Sequence, residues 1–326
     1  YPGALSKDSG RWFALQYPFY MFMNMLGGYS APAFVSISGM GAWFYLRRSS
    51  SLSIVRRGLA LLAAAYLLNF IAPVWFKPGS WYVLHLIGAM MLCAPLLRRT
   101  PRIALPLIIF ALLVAALIAQ VYFNVPLHSG NTKMNDMSQP GGALRVALVS
   151  GHFPLLPWSA LFVLGFYLAP FVDSKKQKPL YICSALCIAL MGLLGLLSLL
   201  FPRRSGIVEK LLYIPGSFYP LMPVMFFLLT GGVVLTVALV RRRELRRPIA
   251  AANPIVCFGR MSLTAFIVHV FVFKQLLSFT PYYRKIPFAP AFLLAYAVIA
   301  LFLLAAVYWS KFKFRYSFEW LLRKVS

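Results

Sequence analysis

Residues 155–173 read LLPWSALFVLGFYLAPFVD and residues 179–201 read PLYICSALCIALMGLLGLLSLLF, with Lys175, Lys176 and Lys178 between them. At about 1.5 Å of rise per helical residue, each run approaches or meets the ~30 Å of hydrocarbon in a bilayer. Two apolar runs joined by a short, lysine-bearing loop are the pattern of neighbouring antiparallel membrane helices. Outward from this pair, runs of similar length occur at about 27–46, 58–75, 81–97, 103–123, 219–240, 255–278 and 289–309. The sequence therefore predicts an all-α, polytopic membrane helix bundle of about nine transmembrane helices. An outer-membrane barrel would instead show short alternating segments. Prolines at 32, 73, 95, 106, 223 and 254 mark kinks or ends that a membrane bundle tolerates when neighbours satisfy the freed backbone groups.

Composition agrees. The 326 residues are 61% hydrophobic and 12% charged, with a mean hydropathy of +0.78. Soluble domains carry about 25% charged residues, so a cytosolic enzyme is excluded, as are disordered and fibrous chains. Lys and Arg total 32 against 6 Asp and Glu, a formal charge of +26. In a soluble chain this excess would suggest nucleic acid. Here the basic residues sit in short clusters between apolar runs, which predicts membrane lipids as surroundings and no nucleic-acid partner. Six acids are too few for a proton pathway built of several buried carboxylates.

The basic clusters also orient the chain. Arg47, Arg48, Arg56 and Arg57, then Arg98, Arg99 and Arg102, then the three lysines, then Arg241–Arg247, then Lys311–Lys324 fall on one set of loops. The positive-inside rule puts these loops in the cytoplasm, with the N-terminus outside and the C-terminus cytoplasmic. The polar opening YPGALSKDSGRWF then lies on the non-cytoplasmic side, which leads us to expect a further helix upstream of Tyr1. The outer loops run at about 124–152, 202–219 and 280–288. None is large enough for a separate domain, so residues 1–326 read as a single transmembrane domain with no internal repeat.

Polar groups inside a bilayer are costly, so the few present are informative. His85, in WYVLHLIGAMM, and His152, in SGHFPLLPW, approach the outer face from different spans and can converge on one cavity. Imidazole suits general-base chemistry because it titrates near neutrality. His128 reads as a solvated loop residue. His269 reads as a helix-to-helix hydrogen-bonding group, on a helix with Ser262, Thr264 and Lys274. Asn69, in AAAYLLNFIAP, needs a buried partner. Arg260, in CFGRMSLTAF, either snorkels or clamps a phosphate. Cys93, Cys183, Cys187 and Cys257 form no CxxC pair and read as small core residues, and no metal is expected. P-loop, HExxH, GxSxG and dinucleotide-binding motifs are absent, which excludes ATP-driven transport by this chain alone.

Several segments carry a resemblance in their order and spacing: GGYSAPAFVSISGMGAWFYLRR (27–48), RRGLALL (56–62), WYVLHLIGAMML (81–92), HFPLLPWSALFVLGFYLAP (152–170), FGRMSLTAFIVHVFVF (258–273) and FKFRYSFEWLLRKV (312–325). Together they resemble the transmembrane acyltransferase superfamily, specifically the bacterial, YeiB-like relatives of heparan-alpha-glucosaminide N-acetyltransferase. The resemblance implies transfer of an acyl group, usually acetyl, from cytoplasmic acyl-CoA to a sugar or glycolipid acceptor on the other side of a bacterial inner membrane. Family members open with a helix carrying an RxxxxDxxRG entry and a histidine, neither of which is present here. Tyr316 and Ser317 also stand where the family tail carries Gly-Pro.

On this reading His85 and His152 lie at the reaction centre with Asn69 in support. Arg56, Arg57, Arg98 and Arg260 hold the polyanionic acyl-CoA, and Trp81, Arg145 and Trp158 contact the acceptor. A homo-oligomer is compatible with such a bundle. The rival from another class is a carrier for an anionic or lipid-linked substrate, for which the same basic surface and polar mid-span groups would serve.

Overall fold

The computed structural model describes residues 18–325 apart from 75, 128–134, 175–176, 215–218, 283–284 and 286–287, with side chains described from residue 28 onward except at 274, 288–289 and 291–292. It is helical throughout, with no strand among the described residues. In chain order the helices are α1 (Pro18–Leu46), α2 (Ser51–Ile71), α3 (Val83–Arg99), α4 (Ala104–Tyr122), α5 (Leu155–Asp173), α6 (Lys178–Leu200), α7 (Gly206–Leu212), α8 (Pro223–Arg246), α9 (Pro254–Gly259), α10 (Ser262–Val270), α11 (Phe288–Ser310) and α12 (Phe318–Val325). Each of the nine apolar runs contains helix. Among the described residues, seven helical stretches are long and apolar enough to cross a membrane: α2, α4, α5, α6, α8, the Ser262–Phe279 stretch that begins with α10, and the Leu293–Ser310 part of α11. α3 has only 17 residues. In α1 the glycines and serines around Ser36–Gly41 dilute the hydropathy. The run at 255–278 is interrupted at Arg260 and Met261, between α9 and α10, and continues after Val270 as wider and then tighter helical turns.

α5 is the central post. Trp158, Ala160, Leu161, Phe162, Val163 and Leu168 are essentially inaccessible, and α1, α4 and α3 pack around it. Backbone-level contact between α1 and α5 depends on two glycines. A Cβ on Gly39 would lie 2.0 Å from the Phe162 carbonyl oxygen, and one on Gly165 would lie 1.9 Å from that of Ser36. Between helices in lipid, dispersion replaces the hydrophobic drive, and small residues let backbones approach. α2 and α3 use the same device where Gly58 faces the Gly88 carbonyl, and Ser184 of α6 donates to the Gly231 carbonyl of α8 at 2.8 Å. By contrast, α6 and α11 turn Leu193, Leu196, Leu199, Leu293, Leu301 and Leu304 outward, as lipid-facing helices do.

Connections alternate direction, so polar groups collect at two ends. At the basic end, Arg98 donates to the Leu46 carbonyl at 2.8 Å, Arg47 pairs with Asp173, and Arg241 reaches the Asp173 carbonyl. At the opposite end lie the α2–α3 connection, the segment 135–154 and α7, whose Lys210 donates to the Val125 carbonyl.

Candidate functional site

The end of the bundle where α2 finishes and α3 begins is built on Asn69. Its buried side-chain amide donates to the Pro78 carbonyl at 3.2 Å and to the Ser80 carbonyl at 2.9 Å, so both amide hydrogens fasten the α2–α3 connection. Ser80 Oγ in turn accepts from the Lys77 amide at 2.9 Å. This fixes the entry of Trp81, Tyr82 and His85 into α3.

His85 is 1% exposed. Its Nδ1 accepts from the Tyr82 backbone N–H at 3.2 Å, which places the proton of a neutral ring on Nε2. No acceptor among the described residues meets that Nε2–H. The ring lies edge-on to Tyr66, with centroids 4.6 Å apart, and tilted against Trp81 at 5.3 Å. The indole N–H of Trp81 also lacks an acceptor among the described residues. Buried N–H groups cost free energy when unpaired, and two of them on the neighbouring rings of His85 and Trp81 form an acceptor-seeking environment.

His152 stands beside this cluster, stacked on Tyr82 at 4.9 Å and edge-on to Tyr219 at 5.6 Å. Trp158 stacks on Tyr219 at 6.0 Å, and Phe153 packs against Trp158 at 4.7 Å. Asn135 sets the state of His152. Its Oδ1 accepts from the Trp81 amide at 3.2 Å, so its Nδ2 must donate to His152 Nδ1, 2.6 Å away. Burial pushes the His152 imidazole down to about 4, so the ring is neutral at physiological pH. The sequence therefore indicates two converging imidazoles, and the structure joins them through Tyr82 and the Trp81–Asn135 contact. Asn135, Tyr82 and Tyr219 are site neighbours that sequence reasoning misses: Asn135 is one polar residue of a polar loop, and only the fold brings it to His152 Nδ1 and the tyrosine rings to the imidazole.

Arg145 is buried but committed elsewhere. It donates to the Phe123 carbonyl at 2.8 Å and to Gln139 at 3.4 Å, with Phe123 beneath the guanidinium. His269 bonds within its own helix, to the Ala265 carbonyl at 3.1 Å. His128 lies outside the described residues.

At the basic end, Arg57 and Arg260 come together. With Lys313 and Arg323 they line a cavity of about 680 Å³ whose walls include Ala251, Leu322 and Glu319. Arg57 stacks over the Tyr45 ring at 4.1 Å. Glu319 gives the cavity its shape. Its carboxylate accepts from the backbone amides of Leu263 and Thr264, at 2.7 and 3.0 Å, and from the Thr264 hydroxyl at 2.5 Å. Phe318 N–H closes the link on Thr264 Oγ1 at 2.9 Å. An acid at the start of α10 satisfies otherwise unpaired amides and complements the helix dipole, docking α12 as one wall. Arg56 is exposed and does not line this cavity, and Arg98 lines a different one. Arg98 and Arg57 look alike in sequence; only packing separates them.

The family model described as heparan-alpha-glucosaminide N-acetyltransferase, catalytic, matches residues 12–201, more than half of the chain. A second model, a protein family of unknown function (DUF418), matches residues 166–326. The first span holds both imidazoles and their asparagines, whereas the second supplies Tyr219 and most of the basic cavity. No curated protein and no solved structure matches the chain.

Proposed function

The chain belongs to the heparan-alpha-glucosaminide N-acetyltransferase catalytic family, and from that membership and the geometry of its two ends we propose that it is a membrane-embedded acyltransferase using acyl-CoA. The donor's phosphates are held by Arg57, Arg260, Lys313 and Arg323, whose guanidinium and ammonium donors suit phosphate oxygens. The acyl group, in most turnovers acetyl, passes to a sugar or glycan acceptor at the imidazole end. With the basic loops cytoplasmic, the acceptor lies on the non-cytoplasmic side of a bacterial inner membrane.

In the transfer, an acceptor amine or hydroxyl attacks the thioester carbonyl. The new C–N or C–O bond forms, the C–S bond breaks, and the sulfur leaves as the CoA thiolate. His85 presents an N–H and not a lone pair, so its role is donation: with the Trp81 indole it stabilises the developing oxyanion. His152 is the proton acceptor, at Nδ1. The Asn135 N–H now occupies the position that the acceptor's N–H or O–H takes. Asn69 has no hydrogen left to donate, so it positions the α2–α3 connection.

The single observation carrying this reading is the pair of buried N–H groups on His85 and Trp81 that meet no acceptor among the described residues, within the family-matched segment. The test is transfer of radiolabelled acetyl from acetyl-CoA to membrane glycans, together with thermal stabilisation of the purified protein by acetyl-CoA. We expect both, with transfer lowered about a hundredfold or more in His85→Ala and His152→Ala. Absence of stabilisation by acetyl-CoA and by longer acyl-CoAs, or undiminished transfer in either variant, would overturn it.

A further inference from the structure

A second cavity, of about 230 Å³, opens at the basic end between the last turns of α1, α3 and α5 and the start of α4. Arg47, Arg98 and Arg102 line it, over walls that include Trp43, Phe166 and Tyr167. The three guanidinium groups differ in how far the protein already uses them. Arg47 pairs with Asp173 and lies over Trp43 at 4.9 Å. Arg98 gives one hydrogen bond, to the Leu46 carbonyl. Arg102 rests on the Phe171 ring at 4.9 Å, and its guanidinium donates to no acceptor among the described residues. Two forked donors are thus held in place, by packing and by one carbonyl, with most of their N–H groups uncommitted at one cavity.

A guanidinium fork matches phosphate oxygens in geometry and charge. The cavity is smaller than the roughly 300–1,000 Å³ of typical ligand pockets, enough for a phosphate ester and a few carbons and too small for a coenzyme nucleotide. It lies at the ends of α1, α3 and α5 and the start of α4, with Trp43 and Tyr167 beside it. That is headgroup depth, where aromatic residues concentrate and basic pockets between helices take lipid phosphates.

We infer that this cavity is a binding site for the phosphate headgroup of an anionic phospholipid, gripped by Arg98 and Arg102. The same phosphate-ester chemistry exists in soluble anions, so the test separates the sources. The full chain is delipidated in detergent and titrated with dioleoyl phosphatidylglycerol or dioleoyl phosphatidylcholine in mixed micelles. Retained lipid is counted by native mass spectrometry, and melting is followed in parallel with inorganic phosphate and with acetyl-CoA.

Phosphatidylglycerol should be retained in preference to phosphatidylcholine and raise the melting temperature further. Arg102→Gln, which removes no hydrogen bond within the protein, should weaken that retention about fivefold. Adding Arg98→Gln should weaken it about fivefold again, while Arg57→Gln with Arg260→Gln leaves it unchanged. Equal retention of the two lipids, full retention in Arg102→Gln, or stabilisation by inorganic phosphate matching that by phosphatidylglycerol would overturn the assignment. Loss of acetyl-CoA stabilisation in Arg102→Gln would also overturn it, by giving the cavity to the acyl donor. Lipid retention is read without acetyl-CoA, so this site stands or falls apart from the transferase reading.

Discussion

At the end of the bundle where α2 meets α3, the polar side chains Asn69, His85, Asn135 and His152 are all less than a tenth exposed. At the other end, Arg47, Arg98, Arg102 and Arg260 remain exposed around open cavities. The four named groups of the first region are neutral and oriented through backbone amides, carbonyls and one another, and the buried charges at that end, Arg145 and Lys210, are held on the Phe123 and Val125 carbonyls. The second holds charges that keep their access to water and to ligands. The difference follows from desolvation. A neutral amide or imidazole can be buried if its hydrogen bonds are supplied, whereas a guanidinium buried without a partner costs several kcal/mol. An enzyme that must both hold a polyanion and exclude water from a reacting carbonyl is therefore served by separating the two tasks along the helix axes.

The strongest way to break the comparison is to remove the post that both ends share. Gly165→Ala places a methyl group against the Ser36 carbonyl oxygen, and we expect destabilisation of about 4 kcal/mol or more. Monodisperse protein on size exclusion should be lost, and both ends with it. Retained stabilisation by acetyl-CoA would mean that the basic end is an independent unit.

A sharper division comes from kinetics. His85→Ala should lower transfer about a hundredfold or more, the cost of losing an oxyanion donor, while leaving stabilisation by acetyl-CoA intact. Arg57→Gln with Arg260→Gln should do the reverse, raising KM for acetyl-CoA about tenfold or more with kcat little changed. Steady-state rates across acetyl-CoA concentrations distinguish these patterns, and equal losses in kcat from both variants would merge the two ends into one site.

Glu319→Gln tests how far the basic cavity depends on its capping carboxylate. Weakening the bonds to Leu263, Thr264 and the Thr264 hydroxyl should cost about 1–3 kcal/mol, seen as a lower melting temperature and a weaker response to acetyl-CoA. The smallest effect is pH dependence at the neutral end. His152 titrates at about 4 in the fold instead of its ordinary 6.5, so between these values the unfolded chain binds more protons. Its neutral-state stability is fully present above about pH 6.5 and is lost as pH falls through 6.5 toward 4. His152→Gln should flatten the melting temperature over that interval.

Much of the scaffold is legible in the residues. The apolar runs mark the helices because a bilayer demands length and continuity, and the glycine-rich α1 marks a close contact without naming α5 as its partner. The interruption at Arg260 and Met261 is harder to read. Hydropathy stays high across 255–278, and the break is defined by Glu319, some sixty residues away, capping a new helix start. The two imidazoles are visible as rare polar groups near span ends. Their chemistry is not, because it depends on which nitrogen is occupied, and that is decided by the Tyr82 amide for one ring and by Asn135 for the other. Asn69 and Arg145 show the same limit. Each stands out as a polar residue among apolar ones, yet backbone carbonyls take up the Asn69 amide and hold Arg145 in place.

The Glu319 anchor carries a consequence for biogenesis. Arg57 precedes Arg323 by 266 residues, so the helices from α2 to α11 can enter the bilayer before α12 exists to wall the cavity. A product truncated before Phe318 would carry those helices yet lack the cavity wall that Glu319, Leu322 and Arg323 supply. Closure of the cavity therefore waits on α12 packing back against the start of α10, after the helices that precede it have been made.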